Sequence, residues 1–293
     1  MIIDNRGAIA PLFSICCPTR GRPENVRRLI KSIKDNCHNF NDIEVLFYVD
    51  RDDSTFPDDI LSFNIKKIIG NRVWLNMANN ILYAHSSGQI IMQAGDDLVF
   101  KTYGWDTIVK NTFDLYQDGI VLVYGNDNGS YGSLIAIHGF VHKNWVEALG
   151  YFSYPGRTAA ADRWITEVAQ RVGRAVYIPS LITEHVHYRQ GSKLAEFDKT
   201  YQSQDVRVKT WPWWVSYKKL KHERRADVII LTDHMNPKPK LEYNYFLGEL
   251  LVKLQQKYGF TFGISRRIRS LNNFEILPKI FFNIIKLITK KYN

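Results

Sequence analysis

The 293-residue sequence predicts an α/β fold built on a mainly parallel sheet flanked by helices, and three observations predict it. Short apolar, β-forming runs alternate with segments whose apolar residues recur at helical spacing, the pattern of repeated strand–helix units. The early strands run out into polar clusters, Pro18 to Arg22, Asp50 to Asp53 and Asp96-Asp97. A composition of 45% hydrophobic and 23% charged residues describes an ordinary globular chain, long enough for one large core or a core with an appendage.

The elements follow in order. Pro11-Leu-Phe-Ser-Ile-Cys-Cys reads as a strand that ends at the Pro- and Gly-punctuated loop Pro18-Thr-Arg-Gly-Arg-Pro. A helix from about Glu24 to Asn36 places Val26, Leu29, Ile30 and Ile33 on one face, with Arg27, Arg28, Lys31 and Lys34 on the other. Ile43 to Val49 is the next strand and leads into Asp50-Arg-Asp-Asp-Ser; Ile65 to Ile69 is a short third one. Asn71 to His85 has helical spacing in Leu75, Ala78, Asn79, Leu82 and Tyr83. The run Gln89 to Ala94 is a buried strand that delivers Asp96 and Asp97. Further strands are expected at Ile120 to Tyr124 and Leu134 to His138, a helix at Ala161 to Val172, and a strand from Ala175 before Glu184-His-Val-His.

Two adjacent carboxylates at the end of a buried strand concentrate negative charge that a divalent cation neutralises. The chemistry best served is transfer from a diphosphate-bearing donor, because the metal holds the diphosphate as it leaves. In open α/β sheets ligands collect beyond the carboxyl ends of the strands. The coincidence of three polar clusters there points to a nucleotide-type site. The three cysteines, two of them adjacent (Cys16, Cys17), make a poor disulfide framework and read as reduced thiols. No secretory signal and no bilayer-spanning run is visible, so a cytoplasmic location is expected.

In these pieces and their order the chain resembles the family-two-like nucleotide-sugar glycosyltransferases of GT-A (Rossmann-like) fold, and among them the small members found in phage genomes. The likeness runs over roughly Leu12 to Tyr201 and is carried by Cys17-Pro-Thr-Arg-Gly-Arg-Pro, Val49-Asp-Arg-Asp-Asp, Gly95-Asp-Asp, Gly104-Trp-Asp, Ala148-Leu-Gly-Tyr-Phe, Asp162-Arg-Trp and Glu184-His-Val-His. It implies a donor pocket lined by Pro18, Thr19, Arg20 and Arg22, with Asp50 accepting hydrogen bonds from the base. It brings Arg72 and Asn76 to the diphosphate and sugar, a guanidinium fork being suited to phosphate. It assigns Asp97 to a divalent metal (Mn or Mg) and Asp96 to the ribose or a metal-bound water. The family's usual Asp-x-Asp lacks its intervening residue here, which leaves that division open. His185 and His187 alternate along an extended stretch, so one of them is expected to face the site as a metal ligand. Asp162 corresponds to the base that deprotonates the acceptor in inverting transfer of a hexosyl or pentosyl group; its alternative reading is a helix N-cap, and that of Arg72 a solvated helix-start arginine.

Beyond Arg207 the resemblance fades. Residues 207–293 carry 18 Lys+Arg against 6 Asp+Glu, whereas residues 1–206 carry 21 against 23. A near-neutral catalytic domain, 1–206, and a basic, aromatic-rich, mostly helical extension, 207–293, are expected, the latter suited to a polyanion. Trp211-Pro-Trp-Trp either packs on the core or stacks on bases or sugars. Lys279 to Lys291 reads as a basic amphipathic helix that lies on an anionic membrane surface or docks on protein. Three functions stay open: a glycosyltransferase building a surface glycan or lipid-linked sugar, one decorating hydroxymethylated bases of DNA (in the host cytoplasm if phage-encoded), and a nucleotidyltransferase or nucleotide-sugar binder in which Asp162 is idle.

Overall fold

A computed structural model describes residues 11–129, 131–156, 160–188, 197–203 and 213–236. By its contacts the chain divides into two units, Met1–Leu231 and Thr232–Asn293. Residues 232–236 are the described part of the second, and the site lies in the first. The elements are β1 (Phe13–Thr19), α1 (Pro23–Asn36), β2 (Ile43–Asp50), β3 (Ile65–Gly70), α2 (Leu75–Ala84), β4 (Ile90–Gln93), β5 (Leu98–Phe100), α3 (Trp105–Phe113), β6 (Leu122–Asn126), β7 (Gly139–His142), α4 (Lys143–Leu149), α5 (Ala161–Arg171), β8 (Ala175–His185), α6 (Trp213–Lys219) and α7 (Lys221–Met235).

The eight strands form one curled sheet in the order β3-β2-β1-β4-β7-β6-β8-β5. The first four run parallel; β7 is antiparallel to both β4 and β6, and β8 is parallel to β6 but antiparallel to β5. This is the GT-A-like α/β fold expected. β1 and β2 are buried almost throughout, as strands covered on both faces must be. Helix α1 starts with Pro at its first turn and buries Val26, Leu29, Ile30 and Ile33, the face its spacing predicts.

The strand order puts the switch point at β1, whose neighbours β2 and β4 lie on opposite sides. Pairing of β1 with β4 stops at Cys16↔Gln93, while pairing with β2 continues to Thr19↔Val49. Above that level β4 leaves β1, and the crevice between them opens where such sheets bind ligands.

An aromatic cluster anchors the two segments that leave this crevice. Trp105 is fully buried, with its ring centroid 4.3 Å from Phe100 on β5, 5.3 Å from Phe13 on β1 and 5.8 Å from Phe140 on β7. Helix α3 is aimed there by Gly104, whose φ of +72° suits glycine and whose absent Cβ leaves room for the His38 ring.

The strand expected at Leu134 to His138 lies further on, at Gly139–His142. Gly132–Leu134 is instead a 3-10 turn with Leu134 69% exposed. Pairing with β4 begins at Met92↔Phe140 because β4 ends at Gln93, so the preceding residues have no strand to pair with. Helices α3 and α4 and the short strand β5 are additions to the sequence reading. Of the basic extension, α6 and α7 are described. Tyr217 Oη donates to Glu167 of α5 and Arg224 pairs with the same carboxylate at 2.8 Å, while Asp227 accepts from Tyr151 Oη and from Trp164 Nε1. The side chains of the Trp211-Pro-Trp-Trp run and the segment Lys279 to Lys291 lie outside the described residues. No helix among the described residues is long and apolar enough to cross a membrane.

Candidate functional site

A cavity of about 510 Å³ opens at the strand ends, and the sequence-predicted residues converge on it. Pro18, Thr19, Arg20 and Arg22 reach it from the tip of β1, Asp50 from the end of β2, and Arg72 from the loop before α2. Asp96 and Asp97 come from the β4–β5 turn, Asp162 from the first turn of α5, and His185 and His187 from the end of β8. Asn76 is the exception. It is buried, its Nδ2 donates to Tyr154 O at 2.7 Å, and it takes no part in the lining. Asn79, nearly one turn further on α2, lines the cavity instead.

The two aspartates have different surroundings. Both oxygens of Asp96 are engaged: Oδ2 accepts from Thr19 Oγ1 at 2.8 Å and Oδ1 from Arg22 at 3.1 Å. Burial and the adjacent Asp97 charge raise its pKa above the usual carboxylate range, against the pull of Arg22. Burial would raise Asp97 too. A hydrogen bond and charge from His185, whose Nε2 is 3.3 Å from Oδ2, together with a bond from Tyr201 Oη at 2.8 Å, instead hold it well below that range. Asp97 is therefore the stronger acid of the pair.

Asp97, His138 and His185 present one ligand atom each within 4.8 Å of one another. Two observations show that the group fits a cation. Neither ring nitrogen of His138 has a hydrogen bond of regular geometry, and His185 Nδ1 likewise has none, although these atoms are buried. Gly95 leaves the space the cluster needs, since a Cβ there would meet Asp97 Oδ1 at 2.5 Å and His138 Cε1 at 3.2 Å. Burial, then the neighbouring His185, push the His138 pKa down to about 3, so its imidazole is neutral and free to ligate.

The expectation that His185 and His187 point to opposite sides is corrected. β8 ends at His185, and His187 N bonds back to His185 O at 2.9 Å. The extended alternation is lost, both rings line the cavity, and their centroids are 5.1 Å apart. His187 lies against Tyr188 and Tyr201 and stands outside the three-residue cluster.

The arginines are largely committed within the protein. Arg20 pairs with Asp50 at 2.8 Å and with both oxygens of Asp52. Arg22, almost fully buried, grips Asp198 through two nitrogens at 2.6 and 3.0 Å and stacks 3.9 Å above the Tyr201 ring. Arg72 has the loosest contacts, 3.3 Å to Ser203 Oγ and 3.9 Å to Asp50. Segment 197–203, helical over 199–203, thus straps the β1 tip to the acidic pair, and Thr200 Oγ1 adds a bond to Arg20 O at 2.9 Å.

Asp162 is the second residue of α5, and Ala160 occupies the N-cap position. Its carboxylate accepts from the Arg163 backbone at 2.8 Å, and burial raises its pKa. Sequence reasoning missed Tyr48, Asn79 and His138 as lining residues. Tyr48 was discoverable, since it stands two residues before Asp50 on the same strand face. Asn79 is fully buried with both amide atoms unpartnered, the state of a group placed to meet a ligand.

No protein-family model and no curated protein sequence matches the chain. Solved structures do. The mannosyltransferase PcManGT from Pyrobaculum calidifontis, in complex with GDP-mannose and Mn2+, superposes with a TM-score of 0.53 at 13% identity, over 84% of this chain and 81% of that one. Residues 1–349 of S. aureus TarS, in complex with UDP, superpose with a TM-score of 0.49 at 11% identity, over 91% and 77%. At such identity the likeness, carried by the mannosyltransferase, is one of fold: the chain has the fold of nucleotide-sugar glycosyltransferases.

Proposed function

We propose that the protein is a metal-dependent, inverting glycosyltransferase that moves a sugar from a nucleoside-diphosphate sugar to an acceptor hydroxyl. The observation that carries this reading is the convergence, on one cavity at the switch point of the sheet, of the Asp97, His138 and His185 cluster and a separate buried carboxylate, Asp162. The likeness of fold to the mannosyltransferase, solved with GDP-mannose and Mn2+, supports it.

Each part has a role. The donor's nucleoside lies along the tips of β1 and β2, between Pro18, Tyr48 and Asp50. Tyr48 is held rigid by its bond to Asn71 O at 2.6 Å. Arg72, the least committed guanidinium, meets the diphosphate. Asp97 and His185 would hold the divalent ion, which supplies charge stabilisation for the departing diphosphate. Asp96, tied to Thr19 and Arg22, fixes the turn that presents Asp97 and faces the ribose. Positive charge builds on the sugar ring as the bond to the diphosphate breaks. Asp162 takes the acceptor proton as the oxygen attacks. Its pKa, raised by burial, makes it a stronger base than an exposed carboxylate.

The acceptor is a hydroxyl of a glycan or lipid-linked sugar. The charge excess after Arg207 favours a second reading, a hydroxymethylated base of DNA. A donor screen with Mn2+, following released nucleoside diphosphate with and without each acceptor class, tests the proposal. Release that needs both metal and Asp162 supports it; no release from any donor with any acceptor overturns it. Duplex affinity that falls steeply with salt selects DNA, and a flat salt response removes it.

A further inference from the structure

We infer that His138 is a ligand of the divalent ion, and that the site, built from one carboxylate and two imidazoles, selects a transition ion such as Mn2+ over Mg2+. The inference rests on the proposed function for the ion's part in turnover, but not for binding.

The register of the sheet makes the first case. β7 is antiparallel to β4 with Met92 opposite Phe140, which carries His138 to the level of Ala94, beside the turn that holds Asp97. His138 is 6% exposed, its nitrogens lack regular hydrogen bonds, and its ring lies edge-on to His185 with centroids 5.2 Å apart. An imidazole so deeply buried, with only a loose contact to the Gln93 backbone, is rarely left so under-satisfied unless something absent from the protein chain completes it.

Asp96 makes the second case by being unavailable. A second carboxylate would give the ion an oxygen-rich shell, but both Asp96 oxygens are taken by Thr19 and Arg22. The donors left are Asp97 and two imidazoles. Donors about 2.1 Å from one ion stand about 3 Å apart as neighbours and about 4.2 Å apart when opposite, so a trio within 4.8 Å is close to a coordinating arrangement. Imidazole nitrogen suits transition ions, whereas Mg2+ takes oxygen ligands and keeps its waters. Three protein donors also leave coordination positions open for diphosphate oxygens.

The test is binding of Mn2+ and Mg2+ to the full-length chain without donor, by calorimetry, with pulsed EPR of bound Mn2+ on protein carrying 15N-labelled histidine. Mn2+ should bind at least about tenfold more tightly than Mg2+, with couplings from two imidazole nitrogens. His138→Gln should weaken Mn2+ by about 10- to 100-fold and remove one coupling, whereas Asp96→Asn should keep both. The wild-type spectrum decides the matter even if a variant folds poorly. One nitrogen or none, or equal affinity for the two ions, overturns the inference. Nucleoside diphosphate release without the two-nitrogen signal would refute the ligand set and leave the glycosyltransferase reading. The two-nitrogen signal without release from any donor would do the reverse.

Discussion

The sheet buries carboxylates at both ends of its strands, and the two ends treat them differently. Glu44, the second residue of β2, is buried at the strand-start end, where every neighbour answers it. Ser14 Oγ donates at 2.6 Å, Ser87 N at 2.6 Å, Gly88 N at 3.3 Å and Lys66 Nζ at 2.7 Å. At the opposite end Asp97 stands among groups with unspent capacity: the His138 ring, which has no regular hydrogen bond, Nδ1 of His185, and the whole amide of Asn79. A satisfied buried network holds a fold together, while an under-satisfied one costs stability and persists where a ligand completes it.

The sharpest way to break this contrast is to remove one carboxylate from each end. Asp97→Asn should abolish metal-dependent release of nucleoside diphosphate, a loss of at least about 100-fold, with the thermal midpoint shifted by only a few degrees. Glu44→Ala should do the opposite. It strands several buried donors and destabilises the fold by about 3 kcal/mol, leaving kcat near its original value. If Glu44→Ala lost activity without losing stability, the division of the sheet into two ends would fail. Next in size is Asp162→Asn, where kcat should fall by roughly 10²- to 10⁴-fold with little change in donor KM. Unchanged turnover would leave Asp162 a helix-start residue and favour a nucleotide-binding protein.

Much of this was legible in the chain. Strands β1 to β4, helices α1 and α2 and the polar strand ends followed from periodicity and punctuation, which are local properties. His138 was not legible, because what makes it a site residue is antiparallel pairing with β4, a fact about two segments some fifty residues apart. Read locally, Leu134 to His138 is an alternating strand. Only the end of β4 at Gln93 decides otherwise. Asn76 and Asn79 show the same limit at smaller scale. Both lie on the buried side of α2 among Ala78 and Leu82, and which amide faces the cavity depends on Tyr154 O capturing the first. The strap at 197–203 was equally invisible, since its grip on Arg22 joins positions more than 170 residues apart.

The two ends should also answer pH with opposite signs, a smaller effect. Burial alone would raise the Glu44 pKa, but bonds from Lys66, Ser14 and Ser87 lower it in the folded state. Its contribution to stability is therefore present above the unfolded carboxylate pKa and lost as pH falls through the folded value. Asp162 is raised by burial, so the folded state holds its proton longer than the unfolded one. Stability then falls as pH rises from the unfolded value through the folded one, and Asp162→Asn should be more stable than wild type at neutral pH. Denaturant midpoints measured against pH for wild type, Glu44→Gln and Asp162→Asn test both slopes. The same sign at both ends would remove the distinction.

The smallest expected effect probes the site's geometry alone. Gly95→Ala adds one methyl where Asp97 Oδ1 and His138 Cε1 approach, at 2.5 and 3.2 Å, and leaves every ligand atom in the sequence. The backbone there sits at the start of the turn into β5, and Phe100, three residues past Asp97, is held by Trp105, so the turn has little room to retreat. The carboxylate has to swing instead. That separates it from the imidazoles and should weaken Mn2+ by about tenfold, with a loss of stability of no more than about 1 kcal/mol. The glycine acts through the distance between groups, so the loss should be shared by every transition ion and should leave donor binding without metal untouched. A Gly95→Ala protein with wild-type Mn2+ affinity would mean that Asp97 and His138 do not have to meet, and the under-satisfied end of the sheet would need another explanation.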